Sequence, residues 1–258
     1  MISKHNIRFI RSLHQKEGRL ESGMFAAGGS KITLDLLGEG FQPELLVATE
    51  EWIQHNRQFI SHLGEKIQQA GHSEIERCST LKSPQDVISV WRIPASATPG
   101  DIASGLVLAL DDIQDPGNTG TIIRIAAWFG IHYILCSPAC ADLYNPKVIQ
   151  ASMGAFIKVK VIYCDLAAGI QLLQTKGFDT SAAVMDGESL DDFQPSRSQV
   201  VILGNESRGV SQELLAISKN RITIPSFSKH GSGIESLNVS TAASIICYES
   251  CKKLKYEQ

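Results

Sequence analysis

From residue 105 onward the chain alternates short apolar runs with helical patterns: LVLALDDI, IIRIAAWFG and HYILCS, and later VVILGNE followed by SQELLAIS. Unbroken apolar runs suit strands buried on both faces, and a helix between two strands is the connection that parallel pairing requires. The pattern therefore predicts an α/β fold with a mostly parallel sheet covered by helices on both sides. Ligands of such sheets bind at the carboxyl ends of the strands, so the loops that follow the strands are where chemistry is expected.

Three of those loops are unusual. DDIQDPGNTG follows LVLAL; its Pro116 and Gly117 form a turn, and Asn118 or Thr119 can cap the next helix. LGNESRGV follows VVI, with Gly204 and Gly209 bracketing Glu206. SFSKHGSGIE separates RITIP from SLNVSTAASIICYES, which opens with Ser236 and Asn238. Any one of these glycines reads as a plain turn. Three such loops, each with an Asn, Glu or Ser beside glycine, read as a ligand site in which backbone comes close to an adenine-like edge. None matches GxGxxG or GxxxxGK[ST], so a Rossmann dinucleotide loop and a Walker phosphate loop lack support.

The first third of the chain is patterned differently. KHNIRFIRSLHQK over 4–16 spaces Ile7, Ile10 and Leu13 three apart among cations, a short amphipathic helix with a basic outer face. MFAAGG reads as a strand, KITLDLLGEG as a helix stopped at Gly38, and ELLVATEEW as a strand running into a helix. Residues 1–93 thus form a small α/β unit, and the Pro- and Ser-rich WRIPASATPGDIASG at 91–105 reads as a linker. Net charge is −3, yet residues 1–34 carry Lys4, Arg8, Arg11, Lys16, Arg19 and Lys31 against Glu17 and Glu21 alone. A basic arm on an acidic chain suggests a nucleic-acid contact; a solvated helix face is the bland alternative.

With 43% apolar and 20% charged residues the 258-residue chain is globular rather than disordered. No apolar run approaches the roughly 18 residues of a membrane span, and MISKHNIRFIRSLHQ lacks a hydrophobic signal region, so a cytoplasmic location is expected. The six cysteines include no CxxC pair and the seven histidines no HExxH, so reduced thiols and no metal site are expected.

DPGNTGTIIRIA, LGNESRG and IP…ESLNVSTA resemble the three motifs of the SpoU family of AdoMet-dependent RNA ribose 2′-O-methyltransferases, and HNIRFIRSLHQKEGRLESGMF resembles the L30e-like RNA-binding domain that precedes the catalytic domain in the ribosomal-RNA members. The resemblance implies an L30e-like domain at 1–93, a linker at 94–105 and a trefoil-knotted SPOUT methyltransferase domain at 106–258. It implies catalytic roles for Asn118, Arg124, Glu206, Ser236 and Asn238, AdoMet held by Leu203, Gly204, Ile224 and Leu237 largely through backbone, RNA contacts from Lys4, Arg8, Arg11 and Arg19, and a homodimer. This chain departs from common family patterns in having Gly28 where many relatives carry Glu, and in a longer loop from Pro225 to Ser236.

Arg124 is the one charge in a stretch, Ile122 to Phe129, whose apolar side chains surround the helix, which predicts a buried helix with its cation aimed into a polar site. A guanidinium is a poor proton acceptor, so it reads better as a donor to a phosphate or a developing ribose alkoxide than as a base. The competing reading is a structural Arg124–Glu206 ion pair, within the chain or across a subunit interface, because buried charges are normally paired. For the whole protein the leading expectation is ribosomal RNA 2′-O-methylation. The alternatives are the same chemistry on transfer RNA, a non-catalytic RNA-binding assembly protein, and a nucleotide enzyme acting on small molecules.

Overall fold

Ser3 accepts the N–H of Asn6 at 3.0 Å and starts α1 (Lys4–Ser12), which buries Ile7 and Ile10 and leaves Lys4, Arg8 and Arg11 exposed. The helix expected over 4–16 ends early. Leu13 is buried, and Arg19 of α2 (Lys16–Ser22) donates from Nη1 to the Leu13 carbonyl at 2.9 Å. Arg19 is itself 3% exposed, so it does not share the exposed basic face of Lys4, Arg8 and Arg11 and is not placed for the RNA contact implied for it: its guanidinium serves the turn between two helices. The computed structural model describes residues 2–80, 85–227 and 236–256, of Tyr256 the backbone alone.

The chain continues through β1 (Met24–Gly28), α3 (Ser30–Gly38), β2 (Pro43–Ala48), α4 (Glu50–His55), α5 (Arg57–Ile60), β3 (Ile67–Gln69), α6 (His72–Cys78) and β4 (Val87–Arg92). These strands form a sheet in the order β1-β4-β2-β3, with β4 antiparallel to β1 and β2, and β3 parallel to β2. Both faces are covered. Leu45 and Val47 pack with Ile7, Ile10 and Leu13, whereas Leu46 and Ala48 pack with Trp52, Ile60 and Leu63. The period-two alternation of β2 thus feeds two cores.

His14 closes the α1 side of this unit: its Nε2–H donates to the Cys78 carbonyl at 2.7 Å, which leaves Nδ1 buried without a hydrogen-bond partner among the described residues. Burial, reinforced by the nearby charges of Arg19 and Arg11 and opposed by the bond to Cys78, holds its pKa below the ordinary 6.5. The neutral ring is the folded form, so its contribution is complete above the unfolded-state value and is lost as pH falls through the lowered folded value. Thermal unfolding between about pH 7.5 and about pH 5 should show this loss. His14→Gln keeps a donor near Cys78 without a titrating ring, and its melting temperature should fall less over that window; equal slopes for the two proteins would refute the assignment.

Beyond β4 come β5 (Gly105–Leu110), α7 (Pro116–Trp128), β6 (Tyr133–Cys136), α8 (Pro146–Ser152), β7 (Lys160–Tyr163), α9 (Leu166–Thr175), β8 (Asp179–Ser189), β9 (Ser198–Leu203), α10 (Gln212–Ile217), β10 (Asn220–Thr223) and α11 (Val239–Tyr256). The six strands form one sheet, β10-β8-β9-β5-β6-β7, in which every neighbouring pair is parallel. That is the mostly parallel α/β sheet expected from the strand and helix runs. On one face Val107, Ala109, Val200 and Ile202 meet Ile170 and Leu173 of α9. Their neighbours Leu108, Leu110, Val201 and Leu203 are equally buried on the other.

The chain divides into two compact units, residues 1–95 with 144–154, and residues 96–143 with 155–258. The division at Ala95 and Ser96 falls within the stretch read as a linker. Residues 144–154, expected with the second domain, group with the first: Tyr144 stacks on Phe25 with ring centroids 4.6 Å apart, and the Met153 carbonyl accepts from Lys31 Nζ at 3.4 Å. No helix among the described residues is long and apolar enough to cross a membrane.

Candidate active site

β5 and β9 lie side by side with Leu110 opposite Leu203, so the chain leaves both strands at one carboxyl edge. Asp111 donates its N–H to the Leu203 carbonyl at 2.9 Å and accepts the Ser211 N–H on its carboxylate at 2.7 Å. The 204–211 loop is tied at both ends to the end of β5. Within it Asn205 and Gly209 exchange N–H···O bonds of 3.1 and 2.8 Å, and the chain doubles back so closely that a Cβ on Gly204 would lie 2.2 Å from the backbone of Gly209 and Val210. Only glycine fits there without moving backbone.

α7 begins on the other side of this edge. Asp115, rather than Asn118 or Thr119, is its N-cap: the carboxylate accepts the Asn118 N–H at 2.8 Å, and Pro116 takes the first helical position, where its missing N–H costs nothing. The cap leaves the Asn118 side chain available. Its Nδ2 donates to Glu206 Oε1 at 2.7 Å and its Oδ1 accepts from Asn238 Nδ2 at 2.9 Å. Asn238 Oδ1 in turn takes the Ser240 N–H and hydroxyl at 2.9 and 2.6 Å and the Thr241 N–H at 3.3 Å, capping α11. One line of hydrogen bonds therefore joins the segment before α11, the first turn of α7 and the 204–211 loop, from Asn238 through Asn118 to Glu206.

The other expected residues are placed differently. Leu203 is 1% exposed, with its carbonyl taken by Asp111, so it supports the loop from within the core. Ile224 is half-buried past β10, and Ser236 and Leu237 are exposed just before Asn238. The part of the long loop at 228–235 lies outside the described residues. Asp112, Arg208 and Ser137, which no sequence pattern singles out, and Asn205 are hydrogen-bonded together and join the 204–211 loop to the ends of β5 and β6. A signal for Asn205 existed in its place between Gly204 and Glu206.

Arg124 overturns the expectation of a buried helix with an inward cation. Thr119, Gly120, Ile122, Ile123 and Ala126 form the buried side of α7, whereas Arg124 is exposed and Trp128 is 84% exposed. Arg124 lies six positions along the helix from Asn118, which turns the two side chains about 120° apart. Among the described residues Arg124 has no ion pair or hydrogen bond, and Glu206 is bonded to Asn118 instead. Arg124 lines an open groove of about 500 Å³ between α7 and α11 with Thr121, Trp128, Ser240, Thr241 and Ser244. No trio of His, Cys, Asp or Glu among the described residues could hold a metal ion.

A parallel sheet whose carboxyl edge gathers glycine- and amide-bearing segments around a hydrogen-bonded polar set defines an α/β protein with its candidate ligand site at the strand ends. Residues 105–248 match the SpoU rRNA Methylase family and residues 4–89 the MRM3-like substrate binding domain. The chain belongs to the SpoU rRNA methylase family. It is 26% identical to the 23S rRNA (guanosine(2553)-2′-O)-methyltransferase RlmP of Bacillus subtilis, over 92% of each chain. Among solved structures, a TrmH-family protein from Porphyromonas gingivalis is 33% identical with a TM-score of 0.85, covering 97% of this chain and 98% of its own. An AdoMet-bound rRNA methyltransferase from Sinorhizobium meliloti is 25% identical with a TM-score of 0.86, covering 98% and 97%.

Proposed function

We propose that this protein transfers a methyl group from AdoMet to a ribose 2′-hydroxyl of ribosomal RNA. The observation that carries the reading is the hydrogen-bonded set of Asn238, just before α11, Asn118, in the first turn of α7, and Glu206, in the 204–211 loop at the carboxyl edge of a parallel sheet. AdoMet fits this edge. Leu237 is exposed next to Asn238 and Ile224 is half-buried just past β10, so both leave apolar surface for a ligand, and the carboxylate of the set, Glu206, is opposite in sign to a sulfonium. We place AdoMet against Gly204, Ile224 and Leu237, with the trefoil-knotted chain path and the L30e-like domain boundary near residue 93 inferred from family membership. Ser236, beside these residues, is assigned to the ribose.

When bound, AdoMet supplies an electrophilic methyl group. The work left to the chain is to present the ribose oxygen in line with that methyl and to let the hydroxyl proton depart as the new C–O bond forms and the C–S bond breaks. Asn118 and Asn238 are held from two sides each, so they offer preorganised amides whose geometry need not change during reaction. Incubating the full chain with AdoMet and either ribosomal or transfer RNA, then mapping 2′-O-methylation, tests the reading. Methylation of ribosomal RNA is expected. Methylation of transfer RNA alone would make transfer RNA the substrate, and no methylation by an AdoMet-binding protein would favour an assembly role.

Lys4, Arg8 and Arg11 form the exposed basic face of α1, and we assign them to RNA phosphates in the cytoplasm. Phosphate contacts release counterions, so affinity should fall steeply with salt, and Arg8→Ala with Arg11→Ala should reduce the slope of log K against log[salt] by about 2. AdoMet affinity should be unchanged. An unaltered salt slope would make this face a solvated helix surface. We also propose a homodimer built on α7 and α11, because Trp128, Ile245 and Tyr248 leave apolar surface exposed along these helices, while Ile246 and Cys247 already fill the chain's own core.

A further inference from the structure

Asp112, the second residue after β5, has φ +56°, a left-handed conformation that side chains rarely adopt and that Asp tolerates better than most. Its four backbone and carboxylate hydrogen-bonding groups are all engaged. The N–H donates to Ser137 Oγ at 3.0 Å, and Ser137 Oγ–H donates to Oδ1 at 2.6 Å. Oδ2 accepts from Arg208 Nη2 at 2.9 Å, and the carbonyl accepts from Asn205 Nδ2 at 2.8 Å. Two of these bonds anchor Asp112 to the end of β6, and the other two grip the loop that carries Glu206.

That grip is continued within the loop. Asn205 Oδ1 accepts the N–H groups of Ser207 and Arg208 at 3.0 and 3.2 Å, so the turn around Glu206 is wrapped on the same side chain that reaches Asp112. Glu206 leaves this turn to accept from Asn118. A glycine at 112 would adopt the backbone angle more readily, and an ion pair with Arg208 on the partly exposed rim adds little stability by itself. What an aspartate adds at this angle is a carboxylate that bridges the β6 end and the Glu206 loop. Strained backbone of this kind persists where its surroundings over-determine it, and such places cluster at functional sites.

We propose that Asp112, acting through Asn205 and Arg208, is a positioning residue for methyl transfer: it fixes the turn that presents Glu206 to Asn118. The proposal rests on the methyltransferase reading given above. Asp112→Gly removes the carboxylate at a position where glycine suits the backbone, so relief of the left-handed angle offsets part of the two lost hydrogen bonds and the full-length variant should still fold cooperatively. Its single-turnover kcat on ribosomal RNA should nevertheless fall by about tenfold or more, with KM for RNA little changed. Asp112→Asn, which keeps the shape and one acceptor, should recover part of the loss. Combining Asp112→Gly with Arg208→Ala should cost no more than Asp112→Gly alone, since both act in one network.

A readout independent of RNA separates failure of this proposal from failure of the methyltransferase reading. The Asn118 side-chain amide resonances, assigned by their absence in Asn118→Ala, report whether Glu206 still accepts from Asn118. They should shift in Asp112→Gly and return toward wild type in Asp112→Asn. Unshifted resonances, or wild-type kcat in a folded Asp112→Gly protein, would overturn the positioning role; a wild-type protein that methylates no RNA while the resonances shift as expected would overturn the methyltransferase reading alone.

Discussion

Gly204→Ala is expected to weaken AdoMet binding about a hundredfold, roughly 2.7 kcal/mol, while leaving the parallel sheet folded. The added Cβ would sit 2.2 Å from the carbonyl carbon of Gly209 and the nitrogen of Val210, and 2.5 Å from the Gly209 oxygen. Those are backbone atoms, so no rotamer change relieves the clash, and overpacking of this kind costs about 1–3 kcal/mol where the surroundings can shift. The shift available is to push Gly209 away from Asn205, which breaks one or both of their bonds at about 0.5–1.5 kcal/mol each. The turn holding Glu206 then opens. Strands β5 and β9 below it are buried through residues outside the loop, so circular dichroism should be unchanged. Calorimetric AdoMet binding equal to wild type would show that the cofactor does not use this loop.

The parts of the site that sequence made legible are those whose chemistry is local. Glycines, an Asn or a Glu soon after an apolar strand run mark a turn at a sheet edge whatever the rest of the chain does, and Asn118, Glu206 and Asn238 are hydrogen-bonded together there. What was not legible depended on partners distant in the chain. α7 carries apolar residues around most of its circumference, but periodicity cannot tell whether a helix face is covered by its own chain: Ile122 and Ile123 are fully buried, while Trp128 stands out in solvent. Charge counting placed Arg19 with the exposed cations, and only the bend after Ser12, which leaves the Leu13 carbonyl to be capped, draws it inward. The cap of α7 is legible in sequence: Pro116 suits the first helical position and so points to Asp115 one residue before it, whereas Asn118 and Thr119 qualify by residue type alone. Asp112 gave no signal at all, because a left-handed aspartate is indistinguishable in sequence from any other.

Arg124→Ala should lose about 2.7–4 kcal/mol of transition-state stabilisation, a fall of roughly 10²–10³ in rate, if its guanidinium meets the attacking ribose oxygen or the adjoining phosphate. AdoMet affinity should hold, because Arg124 touches none of the residues assigned to the cofactor. Arg124→Lys keeps the charge without the planar fork and should recover little activity. The structure adds a condition to this expectation. Arg124 is turned away from Asn118 into the groove between α7 and α11, the same face on which we place the second copy. If the second copy packs on this face, Arg124 is presented to it rather than to its own Asn118. Mixed dimers distinguish the two arrangements: equal amounts of Arg124→Ala and Asn118→Ala chains, each inactive alone, should regain activity at about a quarter of the sites if one subunit supplies Arg124 to the other's Asn118. If Arg124 serves its own chain, each site in the mixture carries one defect and activity stays at the level of the single variants. A monomer by sedimentation at micromolar concentration would exclude the shared site, and a folded Arg124→Ala protein with full single-turnover activity would remove the residue from the mechanism in either arrangement.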